Sequence, residues 1–355
     1  MIRRRDYPAF PCGLGKATML RSGLKRWTFQ QCGSRLVPLP LFFLLSGVGQ
    51  GWSQDVGTSD EPPVFHTTVD QVVVYAAVYD QQGRLVTDLQ QTDFQLFEDR
   101  VEQQLTSFAQ TEVPTTLGIV IDSSGSMRDK LPQVEHAVDL FLNYYRPSNE
   151  LFLIRFDDEI ELEEDFTRDP DDIRDAVANL IARGGTALYD AIYLAVEKAR
   201  TGHEPKKVLL VFTDGEDKDS YYRPEELLEK VKEADCQVFL VAFLDEELKR
   251  DGGFFGVFRS ERKRLQQLLE EIAAVSGGEA FFPEKLADLS PIFERVAQEL
   301  GNQYRLAYLS SNQARDGSWR RIDVKVKNAK ERGLRVRARK GYYAPGPSEA
   351  SEDPS

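Results

Sequence analysis

Cysteine and histidine are scarce in this chain, three of each in 355 residues, and the scarcity excludes several kinds of chemistry. Cys12 and Cys32 lie in the first fifty residues, so Cys236 alone remains and no disulfide can staple the main body. Cys236 opens the apolar run "CQVFLVAFL" and is expected to be a buried small hydrophobe. One such thiol and the scattered His66, His136 and His203 cannot assemble a zinc ligand set. No histidine is placed by sequence to activate a serine, and no Gly-x-Ser-x-Gly elbow is present at "DSSGS", so hydrolase chemistry is disfavoured. Long hydrophobic runs are missing too. The best one, Leu36 to Val48, is broken by Pro38 and Pro40 and falls short of the ~20 apolar residues of a membrane span. Internal repeats are not evident.

What is present divides sharply near residue 53. Residues 1–53 carry Arg3, Arg4, Arg5, Lys16, Arg21, Lys25, Arg26 and Arg35 against the single acid Asp6, then the short apolar core and small residues. This is the pattern of an export signal, with cleavage expected close to Ser53 and Met19 as an alternative start. The remainder holds 37 basic and 57 acidic residues, net −20. So acidic a chain disfavours nucleic acid and suits divalent cations or basic surfaces, or simply solubility. The expected location is exported: periplasm, cell surface or secreted.

Pattern changes then mark the organisation. Residues 54–64 read as a linker. Residues 65–113 alternate apolar with polar residues in about four short strands. From 114 to 302, near-continuous apolar strands such as "LGIVID", "LFLIRF", "KKVLLVFTD" and "CQVFLVAFL" alternate with amphipathic helices. That rhythm predicts an α/β, doubly wound and mostly parallel sheet covered on both faces. Residues 303–344 return to strands, three of them, and 345–355 form a Pro, Gly, Ser and Glu tail expected to be disordered. Each β-rich flank, of about 40 to 45 residues, is thin for a core of its own. The two are therefore expected to pair into one small β-sandwich, with the α/β domain inserted between them.

In an open parallel sheet ligands bind beyond the carboxyl ends of the strands. Three polar clusters fall there: Asp122, Ser124 and Ser126 after "LGIVI", Thr186 in "GGTALYD", and Asp214 after "LLVFT". Each alone could be a cap or turn. Together they offer two carboxylates and three hydroxyls, which suits a hard cation such as Mg²⁺, a taker of six oxygens that needs few carboxylates.

This set, Asp-x-Ser-x-Ser followed by a distant Thr and an Asp, resembles the metal-ion-dependent adhesion site of von Willebrand factor A domains, over roughly residues 114–302. The resemblance implies that Ser124, Ser126 and Thr186 contact the metal directly and Asp122 and Asp214 directly or through water. It implies Mg²⁺, with Mn²⁺ or Ca²⁺ as alternatives, and a protein partner whose Asp or Glu carboxylate completes the coordination sphere. The flanks, "VTDLQQTDFQLFEDRVEQQLTSFA" and "YRLAYLSS…LRVRARKGYYAP", resemble exported bacterial proteins, mainly acidobacterial, described as von Willebrand factor A-related. The reading reached is a non-enzymatic binding or adhesion module. An assembly component whose metal only rigidifies the loops, and more remotely a metal-dependent hydrolase, are the alternatives.

Three further stretches carry expectations. "TDGEDKDS", with Asp214, Glu216, Asp217 and Asp219, lacks the spacing of a calcium loop and is read as a solvated acidic loop. Phe254, Phe255 and Phe258 are read as loop residues that either anchor a partner or tuck onto the core. Arg335, Arg337 and Arg339 alternate along the last strand and are read as a solvated face, with docking onto anionic polymers as the alternative.

Overall fold

The computed structural model describes residues 71–110, 113–144, 146–214, 217–243 and 255–347, with backbone alone for 255–261 and 286. Expectations for the leader, the linker, Phe254, and the tail from 348 onward fall outside the described residues, as do the side chains of Phe255 and Phe258.

The central sheet follows from its strands. Thr115–Asp122 (β5) and Glu150–Phe156 (β6) are buried along their whole length, as are Lys206–Thr213 (β8), except Lys207, and Cys236–Ala242 (β9). A strand covered on both faces has no solvent side to alternate with, hence the unbroken apolar runs. The order is β10-β9-β8-β5-β6-β7, where β7 is Ile160–Thr167 and β10 is Ala280–Phe281. β5, β6, β8, β9 and β10 are parallel, while β7 turns back antiparallel on the outer edge of β6. The chain thus leaves β5 in one direction and returns on its other side, so the order reverses at β5 and β8.

Helices cover both faces. Leu131–Leu142 (α1), Pro170–Ala178 (α2) and Leu289–Gly301 (α6) bury Val134, Phe141, Ile173 and Phe293 against one. Leu188–Arg200 (α3), Pro224–Glu233 (α4) and Phe255–Ser276 (α5) bury Ile192, Leu227 and Ile272 against the other. Fully burying one such side chain contributes about 1.5–3 kcal/mol. One helical limit differs from the sequence reading: α5 starts at Phe255, so Phe255 and Phe258 lie on a helix rather than a loop.

The flanking strands form two four-stranded antiparallel sheets. The N-terminal flank supplies Gln71–Tyr79 (β1), Phe94–Glu98 (β2), Val101–Gln103 (β3) and Leu105–Ala109 (β4). The C-terminal flank supplies Tyr304–Leu309 (β11), Trp319–Val326 (β12), Arg335–Ala338 (β13) and Gly341–Tyr343 (β14), with the short helix Ala329–Arg332 (α7) before β13. One sheet runs β13-β1-β11-β4 and the other β14-β12-β2-β3, so each draws strands from both flanks. Their shared core holds Val74, Val78, Phe94, Leu96, Tyr304, Leu306, Tyr308 and Ile322. Phe94 and Tyr304 rings lie 5.0 Å apart. The expected single sandwich is therefore what the flanks build. The last expected strand, however, is two. At Lys340 the backbone N–H leaves the sheets and donates to Val275 O of the α/β domain at 3.1 Å, and β13 and β14 enter different sheets.

This crossing also corrects the reading of the arginine strand as a solvated face. Arg335 is exposed, but Arg337 and Arg339 turn onto the α/β domain. Arg337 pairs with Glu279 and with Glu299, which is fully buried on α6, and donates to the Tyr79 hydroxyl at 2.8 Å. Tyr79 itself donates to Glu299. Arg339 pairs with Asp235 at 2.8 Å and donates to Val73 O at 2.8 Å. Burial works against the Arg337 charge, but Glu299, Tyr79 and Glu279 outweigh it and hold its pKa above the ordinary value.

Candidate metal centre

The end of β5 is where the polar residues begin. Asp122 is fully buried, and its Oδ1 accepts the Ser124 backbone N–H at 2.9 Å, turning the chain sharply. A 3₁₀ turn, Gly125–Met127, follows, and the fully buried Met127 pins it to the core. The turn brings the Ser124 and Ser126 hydroxyls to 3.1 Å of each other. On the neighbouring strand Thr213, the last residue of β8, donates from its hydroxyl to Asp122 Oδ2 at 2.9 Å. The next residue, Asp214, is buried, its Oδ1 has no hydrogen-bond partner among the described residues, and its Oδ2 lies 3.8 Å from Lys130 Nζ.

Thr186 arrives from the loop between α2 and α3. Arg183 N–H donates to Ser123 O at 2.8 Å, Gly125 N–H to Gly184 O at 3.2 Å, and Ala187 N–H to Asp157 O at 2.8 Å. Three backbone bonds thus stitch the Thr186 loop to the ends of β5 and β6. The "GG" before Thr186 has a steric reason. Gly184 sits at φ +71°, a conformation that disfavours side chains, and a Cβ there would lie 2.1 Å from Asp158 Oδ1. A Cβ on Gly185 would lie 1.9 Å from Asp219 Oδ2.

The structure brings the loops that carry Asp122, Ser124, Ser126, Thr186 and Asp214 together at one edge, at the point where strand order reverses. Thr213, Lys130 and Asp157 stand at the same edge and are not singled out by the sequence. Asp157, at the end of β6, is paired with Arg155 at 2.8 Å and Arg183 at 3.2 Å. "RFDDE" is a further acidic strand end at the same edge, a signal that was available. Thr213 stands next to Asp214, but nothing in its sequence says which side it faces.

The electrostatics are unfavourable as they stand. Burial, and next the negative charge of Asp214, push the Asp122 carboxyl up to about 6 against the hydrogen bonds from Ser124 and Thr213. Two buried acids, one with an unpaired oxygen, beside two clustered hydroxyls form an oxygen set that fits a hard divalent cation. No group of three or more His, Cys, Asp or Glu suited to a metal occurs among the described residues. A site of two carboxylates and three hydroxyls does not contain one.

His203 is far from this edge by topology. It precedes β8, and its Nδ1 lies 2.8 Å from Glu150 Oε2 at the start of β6. His136 is exposed on α1. Cys236 is buried as expected, and burial pushes its thiol well above the ordinary range.

With this geometry in view, the chain can be set beside known proteins. Residues 117–295, just over half of the chain, match the von Willebrand factor type A domain family. The protein belongs to that family. Among solved structures, a von Willebrand factor type A protein from Catenulispora acidiphila is similar over 74% of this chain and 76% of that one, at 15% identity and a TM-score of 0.44. The vWF domain of the type V pili tip protein Mfa5 from Porphyromonas gingivalis is similar over 53% and 95%, at 14% identity and a TM-score of 0.42. No curated protein matches the chain by sequence. No helix among the described residues is long and apolar enough to cross a membrane.

Proposed function

We propose that this type A domain is a metal-dependent binding module that captures an acidic group of a protein partner outside the cytoplasm. The observation that carries the reading is the buried Asp214, with one oxygen unpaired, beside Asp122 and the Ser124 and Ser126 hydroxyls. Among the described residues, the two buried carboxylates share one nearby cation, Lys130 Nζ at 3.8 Å from Asp214, and incompletely compensated buried charge is costly. A divalent cation, Mg²⁺ with Mn²⁺ or Ca²⁺ as alternatives, removes that cost. Asp122, Ser124, Ser126, Thr186 and Asp214 are the residues that would hold it. When bound, the cation supplies a coordination position for an anionic oxygen from the partner, an Asp or Glu carboxylate. The basic, apolar-cored first 53 residues support export to the periplasm, the cell surface or the medium. No histidine among the described residues neighbours the serines, which favours binding over hydrolysis.

The test is calorimetric titration of the chelator-stripped chain with MgCl₂, followed by pull-down from an envelope extract. Binding of Mg²⁺ by the wild type, its loss in Asp122→Ala and Thr186→Ala, and capture that disappears with chelator are the expected results. Metal binding that raises the melting temperature while no carboxylate-bearing ligand is held would instead assign the metal a purely structural role.

A further inference from the structure

Lys218 and Asp219 of the acidic stretch are exposed, as a solvated loop would have them, yet Asp217, Asp219 and Ser220 also bond to the Thr186 segment. Helix α3 starts with Ala187 at its N-cap, a residue with no side-chain oxygen, and makes no side-chain cap of its own. Its first amides need acceptors from elsewhere. Ser220 Oγ accepts the N–H of Tyr189 at 3.0 Å and of Asp190 at 3.2 Å, and Asp217 Oδ1 accepts the Ser220 hydroxyl at 2.5 Å. The exchange is reciprocal, since the Asp190 carboxylate accepts the N–H groups of Tyr221 at 2.9 Å and Tyr222 at 2.8 Å.

Asp219 closes on Thr186 itself. Its Oδ2 accepts the Thr186 N–H at 3.0 Å, while the Asp219 and Lys218 N–H groups donate to Thr186 O at 3.1 and 3.0 Å. Both polar groups of the Thr186 backbone are thereby held by one segment, and the carboxylate fits only because Gly185 has no Cβ.

We propose that Asp219 is a positioning residue for the metal centre, fixing the Thr186 backbone so that its hydroxyl is presented to the cation. The inference rests on the metal reading given above. Because α3 takes its cap from Ser220, the Thr186 hydroxyl is not needed to cap the helix. Segment 217–222 is thus a clasp that ties the loop after β8 to the loop before α3, the two loops that bring Asp214 and Thr186. Partners that orient metal ligands, without touching the metal, typically contribute 10- to 100-fold in affinity.

The experiment is Mg²⁺ titration by calorimetry on the chelator-stripped full chain, with melting in chelator run alongside. Asp219→Ala is expected to bind Mg²⁺ about tenfold more weakly. Asp219→Asn, whose amide oxygen still accepts the Thr186 N–H, is expected to stay within about threefold of wild type. Gly185→Ala perturbs the same contact by steric displacement and is expected to reproduce the loss, keeping the test independent of how well Asp219→Ala folds. The melting temperatures in chelator are expected to stay close together. Wild-type affinity in Asp219→Ala, or an Asp219→Asn as weak as Asp219→Ala, overturns the clasp and leaves the metal reading standing. A wild type that binds no Mg²⁺ overturns both.

Discussion

The two ends of the α/β domain treat buried acids in opposite ways. At the carboxyl ends of β5 and β8, Asp122 and Asp214 are buried side by side, one with its pKa pushed up to about 6 and the other with an unpaired oxygen. Where the domain meets the sandwich, Glu299 is just as buried, but Arg337, Tyr79 and Gln303 surround it. The second arrangement satisfies its charges internally and holds two modules together. The first sets two buried carboxylates, among the described residues, against one cation, Lys130 at 3.8 Å from Asp214, and the excess negative charge is the condition for binding something external.

The contrast is broken most strongly by removing the compensating cation. Arg337→Met leaves Glu299 buried without its counter-charge and is expected to cost about 3–5 kcal/mol in urea unfolding. If the two ends are independent, the same variant keeps wild-type Mg²⁺ affinity. Removing an acid from the metal edge has the opposite sign. Asp122→Asn is expected to stabilise the chelator-treated protein by about 2–3 kcal/mol at pH 7 while abolishing metal binding. A destabilised Asp122→Asn would show that the site is already compensated.

That difference depends on pH. The folded-state pKa of Asp122, about 6, lies above its unfolded value, so the protonated form favours folding. Its contribution is full below the unfolded pKa of about 3.9 and is lost as pH rises through about 6. The melting gap between Asp122→Asn and wild type in chelator should thus be near zero at pH 4 and widen to pH 7. Because a ligating carboxylate must be ionised, Mg²⁺ affinity should fall about fivefold from pH 6 to pH 5. The smallest expected effect is at the surface pair Lys325–Asp323, 3.2 Å apart with both side chains over half exposed. Asp323→Ala should change stability by no more than about 0.5 kcal/mol. It calibrates the scale for the others.

The fold was legible where burial dictates composition. β5 has no solvent face, so its residues announce a covered strand, and Asp122 marks its end. The sandwich was legible indirectly, through flanks too small to stand alone. What failed were features fixed by distant partners. Nothing near Arg337 reveals that its strand lies against Glu299 on α6, so alternation with Leu334, Val336 and Ala338 suggested an exposed charged face. The split between β13 and β14 depends on Val275 O, which is 65 residues away from Lys340 in sequence. Asp219 is exposed, as a solvated acidic loop would have it, but its bond to the Thr186 amide joins two loops far apart in sequence and was not legible.

The sequence by itself determined that Asp122, Ser124, Ser126 and Asp214 stand at the ends of buried strands, because apolar runs and turn chemistry are local properties, whereas Thr186 comes from a loop between two helices. Only the tertiary structure decided how fully each buried acid is compensated. Charge pairing at these distances requires two segments far apart in the chain to meet. Arg337 meets Glu299, and Thr213 meets Asp122, only after the sheets have formed.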